Sequence, residues 1–384
     1  MHKHKQNQCK RKMKHRKNVM GLIIFCITVG LAFMFTYYQN LRKEISARQK
    51  WLETVLTGEK KWILENQGPN GEIYMNGSKA GDVNPYFACM AALGLLTETK
   101  NCPMTETEKK AVGKYLDWHT GILLETDGKM GVYRKEGGKL IYKEKADSED
   151  GYLGMYLFLM GRYLEKTEST DLPESWKNGI GLALKKIQSL MQDGITQVSE
   201  DNTTVYLMDN LEVWKGLYEL ELAGLENTQA IREMRKKIQE QIEKIFWDDT
   251  NQRWRVIGNS DRYHQTEFYP DGVAQIYPLI YEFPVKEKKK QKVLYEQFTE
   301  RFLWQKLNKK RTGFLWAITG MAAAQMGDIN NLVELIGNYE TEYGKGKERK
   351  YPLYTGEAGW ICMECGKLYE LYERKIKTAF IPCI

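Results

Sequence analysis

Six times along this chain, a loop carrying glycine, acidic and aromatic residues runs into an apolar segment rich in Ala, Gly, Leu and Met. The segments open near Asn84 (NPYFACMAALGLL), Asp147 (DSEDGYLGMYLFLMGRYL), Asp209 (DNLEVWKGLYELELAGL), Asp271 (DGVAQIYPLIYEF), Leu315 (LWAITGMAAAQMG) and Glu357 (EAGWICMECGKLYELY). Between them lie charged segments such as 105–119, 174–191, 228–246 and 287–307. Their apolar residues recur every three or four positions, as Ile231, Met234, Ile238 and Ile242 do, which is the spacing of a helix with one buried face. A helix apolar all round must be covered on every side, and a one-faced helix can cover it while meeting water. Repeated helical pairs bury themselves by stacking on their neighbours, and six of them can close. The pattern therefore predicts an all-α fold, an (α/α)6 toroid of six helical hairpins with an apolar inner layer and a charged outer one. The acids and Asn at the openings read as N-caps. Strands are expected only in short loop hairpins, such as the one around Gly137-Gly138.

Charge divides the chain differently. Eight of its 57 Lys and Arg fall within residues 1–18, leaving 49 against 50 acids, so the net charge of +7 belongs to the tail. A neutral body excludes a basic groove for nucleic acid. Only His119 and His264 remain in that body, which argues against a histidine-built metal centre, and neither metal nor cofactor is implied. The basic tail abuts Val19–Tyr38, twenty residues without a charge. At 1.5 Å per residue such a helix spans a hydrocarbon core of about 30 Å. The run is longer than the apolar core of a secretory signal peptide and is followed by no small-x-small cleavage site. The expected layout is a cytoplasmic tail (1–18), a transmembrane anchor (19–38), a stalk (39–50) and an extracellular toroid (51–384), with the lipid bilayer as a partner. Cys362-Met-Glu-Cys365 has no second CxxC to complete a zinc site and reads as two small residues on a helix.

In such a ring the N-termini of the inner helices converge on one mouth. The acids there are Asp82, Asp147, Glu149, Asp150, Asp209, Asp271 and Glu357. The aromatics are Tyr86, Tyr152, Trp214, Tyr269, Trp316 and Trp360. Rings stack on the apolar faces of sugars and carboxylates accept from hydroxyls, so the expected partner is a polysaccharide. Hydrolysis of a glycosidic bond needs two carboxyl groups, one protonated and one ionised.

Three stretches resemble glycoside hydrolase family 8, within the six-hairpin glycosidases: Asp82-Val-Asn84-Pro-Tyr86, Ala146-Asp147-Ser148-Glu149-Asp150, and Tyr269-Pro-Asp271-Gly-Val-Ala-Gln275. The resemblance implies an inverting reaction on a β-glucan-like polymer. Asp82 would be the acid, Asp147 the carboxylate that binds the sugar at the cleavage point, and Asp271 the base. Tyr86, Glu149, Asp150, Asp209, Trp214, Tyr269, Trp316, Glu357 and Trp360 would bind substrate. The chain departs from the family pattern with Asp for Glu at position 82, Asn84 for Gln, and Gln275 where Arg would orient the base. An anchored toroid facing outward is placed to trim a cell-surface or secreted polysaccharide, with the exopolysaccharide synthesis machinery as an expected partner. Two alternatives remain open: a degenerate ring that binds sugar without cutting it, and a polysaccharide lyase using Arg262-Tyr263-His264.

Overall fold

The computed structural model describes residues 2–77, 81–137, 139–169, 171–225, 228–260, 267–307 and 315–380. The chain divides into two compact units: the described residues of 1–51 and 369–384, and residues 52–368.

The first unit carries most of α1 (His2–Glu65), whose apolar run is exposed at Leu22, Phe25, Phe33 and Phe35. By length and composition that helix is able to cross a membrane. Gln49 donates to Glu373 within the same unit (3.4 Å).

The second unit is the predicted ring. Its inner layer is α2 (Pro85–Leu95), α4 (Glu149–Thr167), α6 (Leu207–Leu222), α8 (Val273–Ile280), α10 (Thr319–Met326) and the start of α12 (Thr355–Phe380). The outer layer is residues 52–65 of α1 with α3 (Glu106–Glu125), α5 (Glu174–Leu190), α7 (Thr228–Phe246), α9 (Lys288–Phe302) and α11 (Ile329–Tyr343). Helices α2, α4, α6, α8 and α10 pack each on the next, and α12 meets α10 where a Cβ on Gly320 would stand 2.4 Å from Glu364 Oε1. The crossing of α4 on α6 depends on two glycines: a Cβ on Gly216 would stand 2.3 Å from the Gly154 carbonyl oxygen. The ring closes where α12 meets α2, with a Cβ on Gly94 only 2.5 Å from Gly359 Cα. Outer-layer closure is polar. Glu59 receives both Arg349 amino groups (2.6 Å each) and the Tyr339 hydroxyl (2.7 Å).

The helix starts differ from the expected caps. Asn84 does cap α2, accepting from Tyr86 N–H (2.9 Å). On α4 the cap is Ser148 rather than Asp147. Helix α6 opens at Leu207, two residues before Asp209, and has no side-chain cap. A single π turn, Phe268–Gly272, holds Asp271 ahead of α8, and α10 starts at Thr319 rather than Leu315. Capping therefore does not account for Asp147, Asp209, Asp271 or Glu357. The largest sheet joins β1 (Asp82–Val83), β2 (Gly131–Glu136) and β3 (Lys139–Lys145), antiparallel and in that order.

Candidate active site

The inner helices bring their N-terminal ends around a cavity of about 520 Å³. Asn84 and Tyr86 enter it from α2, Asp147 and Tyr152 from α4, Asp209 and Glu212 from α6, and Tyr277 from α8. Tyr269, Trp316, Glu357 and Trp360 complete the wall. Of the expected residues, the structure thus brings Tyr86, Asp147, Asp209, Tyr269, Trp316, Glu357 and Trp360 together. None of the described residues lining this cavity is Lys, Arg or His.

The aromatic side is a platform. The rings of Tyr269 and Trp316 lie 4.7 Å apart at 37°, and Tyr269 is 47% exposed. Trp316 sits in the left-handed region (φ 61°), a conformation that costs a bulky residue about 1–3 kcal/mol and persists where the surroundings impose it. Trp360 is buried, and its indole N–H has no acceptor among the described residues.

The carboxyl side is unusual in its ionisation. Glu212, on α6, is 2% exposed, and burial pushes its pKa up to about 8. Its Oε1 accepts from three phenols: Tyr86 (2.5 Å), Tyr277 (2.8 Å) and Tyr281 (3.2 Å). Asp209, one turn earlier, is raised by burial and then by the charges of Asp150 and Glu212. Asp150 lies behind the cavity wall, accepting from Ser148 (2.8 Å) and Thr196 (2.7 Å), and burial lifts it to about 6. Glu357 receives the Ala317 N–H (2.6 Å) and is raised by burial to about 7. In a six-membered ring, α6 and α12 are three steps apart, so Glu212 and Glu357 come from opposite inner helices.

Besides Asp150, four expected residues stand outside this cavity wall. Asp82 is outside the cavity wall, held by Arg134 through two bonds (2.7 and 3.2 Å) and by Lys143 (2.7 Å). The Arg134 bond, with Lys143, keeps its pKa below the usual carboxylate range, the opposite of what a proton donor needs. Asp271 faces a separate cavity of about 320 Å³ between β4–β5 (Trp247–Asp248, Arg253–Trp254) and α9, among Arg253, Arg255 and Arg301. Gln275 does not orient the Asp271 carboxyl; it bonds the Trp254 backbone in both directions (2.9 Å each). Trp214 is core, donating to Gln239 (3.2 Å) and stacked on Tyr218. Glu149 pairs with Lys145 (3.3 Å) outside the cavity wall. Arg262-Tyr263-His264 lie outside the described residues. Cys362 and Cys365 are both buried and unbonded, with their thiols pushed well up by burial.

Glu212, Tyr277 and Tyr281 are absent from the sequence-derived set. Their signals are in the sequence: Glu212 follows Asp209 by one helical turn, and the two tyrosines are four apart within one apolar segment, 273–281.

No protein-family description matches the sequence, and no curated protein matches it. Solved structures do. A glycosidase in complex with glucose superposes with a TM-score of 0.58 over 84% of this chain and 98% of that one, at 12% identity. The GH76A α-1,6-mannanase from Salegentibacter sp. HEL1_6 gives 0.55 over 83% and 99%, at 11% identity. A sugar epimerase from a ruminal bacterium gives 0.51 over 82% and 97%, at 10% identity. This chain shares their fold. The likeness is to the helical-ring architecture at large rather than to glycoside hydrolase family 8 in particular.

Proposed function

We propose that this protein is a glycoside hydrolase acting on a polysaccharide at the mouth of the ring. The observation that carries the reading is the pair of buried carboxyls, Glu212 and Glu357, on opposite inner helices of one aromatic-walled cavity. The glycosidase and mannanase neighbours support it at the level of fold.

Glu212 is the general acid. Its proton passes to the glycosidic oxygen as the bond to the anomeric carbon breaks, and the electron pair stays on the leaving oxygen. Glu357, ionised, takes a proton from the water that attacks that carbon from the far side. Opposed carboxyls with a cavity between them leave room for this water, which favours an inverting course. With the acid near 8 and the base near 7, the productive combination is most populated between pH 7 and 8. Tyr269 and Trp316 form the platform for a sugar face, and Asp147 and Asp209 accept from hydroxyls.

The exposed apolar run of α1 supports an anchor at Val19–Tyr38 with the basic tail in the cytoplasm and the ring outside. The substrate is then a cell-surface or secreted polysaccharide, with a β-linked glucan as the backbone implied by the motif resemblance, met as it leaves its synthesis machinery. Protease added to intact cells should remove the ring, and full protection would refute the topology. For the activity, the full chain in detergent is incubated with β-glucans, α-mannan, xylan and chitosan. Reducing ends should appear, with the product anomer inverted by NMR. Binding of every polymer without release would mark a sugar-binding ring instead.

A further inference from the structure

The three phenols around Glu212 carry an inference that rests on the acid assignment above. A carboxyl oxygen has two lone pairs, and Glu212 Oε1 is offered hydroxyls from Tyr86, Tyr277 and Tyr281. All three phenols are pushed well above their ordinary pKa, by burial first and the Glu212 charge second, so they stay protonated and act as fixed donors. The other oxygen, Oε2, points toward Gly151, where a Cβ would stand 2.8 Å from it, 2.9 Å from Ser148 Oγ and 3.6 Å from Asp209 Oδ1. We propose that Tyr277 and Tyr281 are positioning residues for the acid: by saturating Oε1 they confine the transferable proton of neutral Glu212 to Oε2 and fix the direction in which it leaves.

Tyr281 is the informative member, because it is fully buried and does not line the cavity, so it reaches the reaction only through Glu212. Its hydroxyl also meets the Tyr277 and Tyr86 hydroxyls and, at 3.6 Å, Met155 Sδ, which is too weak an acceptor to compete with a carboxylate. The titratable groups facing Glu212 are Asp209 on its own helix, Asp150 and Tyr152 on α4, Tyr86 on α2, Tyr277 on α8 and Tyr281 at its C-cap, with Tyr269 ahead of that helix. Lys215, the next cation along α6, is already engaged by Glu219 (2.8 Å) and Glu282 (2.9 Å). The phenols are thus the groups that favour the ionised acid, and removing one raises its pKa.

The test uses the full chain carrying Tyr281→Phe, Tyr277→Phe or both, with two readouts. The first is the Glu212 carboxyl titration by carbon-13 NMR in the resting protein, which does not depend on turnover. Each substitution should raise that pKa by about one unit, the scale of one hydrogen bond to a charged group. The second is the pH profile of hydrolysis. The alkaline limb should move upward with it, while kcat falls at least tenfold in the double variant and KM stays within twofold. An unmoved titration in both single variants overturns the positioning role. A shifted titration with an unmoved alkaline limb upholds the tyrosine effect and overturns Glu212 as the acid. A kcat and KM that fall and rise together, with no change in titration, would mark the tyrosines as packing only.

Discussion

Glu357→Gln separates the energetic signature of the site from its chemistry. Burial holds the Glu357 carboxyl near 7 in the fold against 4.5 ordinarily. A folded-state pKa above the unfolded one means that the native protein binds the proton more tightly. The stabilisation this contributes is fully present below about pH 4.5 and is lost as pH rises through 7. At 1.36 kcal/mol per unit, ionised Glu357 costs the native state on the order of 3 kcal/mol at pH 8 relative to pH 4. Glutamine cannot ionise, and its carbonyl can still accept from Ala317 N–H. Denaturant unfolding of the full chain in detergent should therefore find Glu357→Gln more stable than the parent by about 3 kcal/mol at pH 8 and equal to it at pH 4. The same variant should lose at least a hundredfold in hydrolysis, the scale of a missing general base. Equal offsets at both pH values, or a less stable variant at pH 8, would refute the argument that a buried carboxyl is held there against its ionisation.

Other variants sort the remaining residues. Asp82→Asn should keep activity within about threefold of the parent and cost at most about 1 kcal/mol in denaturant unfolding, because a partly exposed ion pair is lost and no catalytic group is touched; loss of activity at normal stability would return Asp82 to the site. Gly216→Ala drives a Cβ to 2.3 Å from the Gly154 carbonyl oxygen and should destabilise the ring by about 1–3 kcal/mol or more, seen as a lower melting temperature at every pH. The profile of kcat/KM should be bell-shaped with its limbs near 7 and 8, and a plateau reaching down to pH 5 would contradict the assigned base.

The architecture was legible because two periodicities coincide in the sequence. Segments such as NPYFACMAALGLL are apolar on every face, and segments such as 228–246 are apolar on one, which separates the inner layer from the outer. The location of the mouth followed too, since Asp147, Asp209, Tyr269, Trp316 and Glu357 do meet there. The catalytic pair was not legible, for a physical reason. Asp82 and Asp271 occupy motif-like positions, yet their surroundings are brought from afar: Arg134 and Lys143 hold Asp82 across a sheet, and Asp271 faces a separate cavity that Arg253, Arg255 and Arg301 also line. Nothing near Asp82 in sequence announces those cations. Glu212 was hidden in the opposite way, because one of four acids inside DNLEVWKGLYELEL looks like a solvated helix position until the ring closes over it. Trp214 misled for the same reason, since one helix presents both the cavity and the core within five residues.

The central claim is that Glu212 is a proton donor in a glycosidase, and its direct test is turnover by Glu212→Gln on whichever polysaccharide the parent protein cuts. The account predicts a rate at least a hundredfold lower than the parent, with polymer binding retained and a fold at least as stable as the parent at pH 8. Reducing-end release at the parental rate by Glu212→Gln would contradict it.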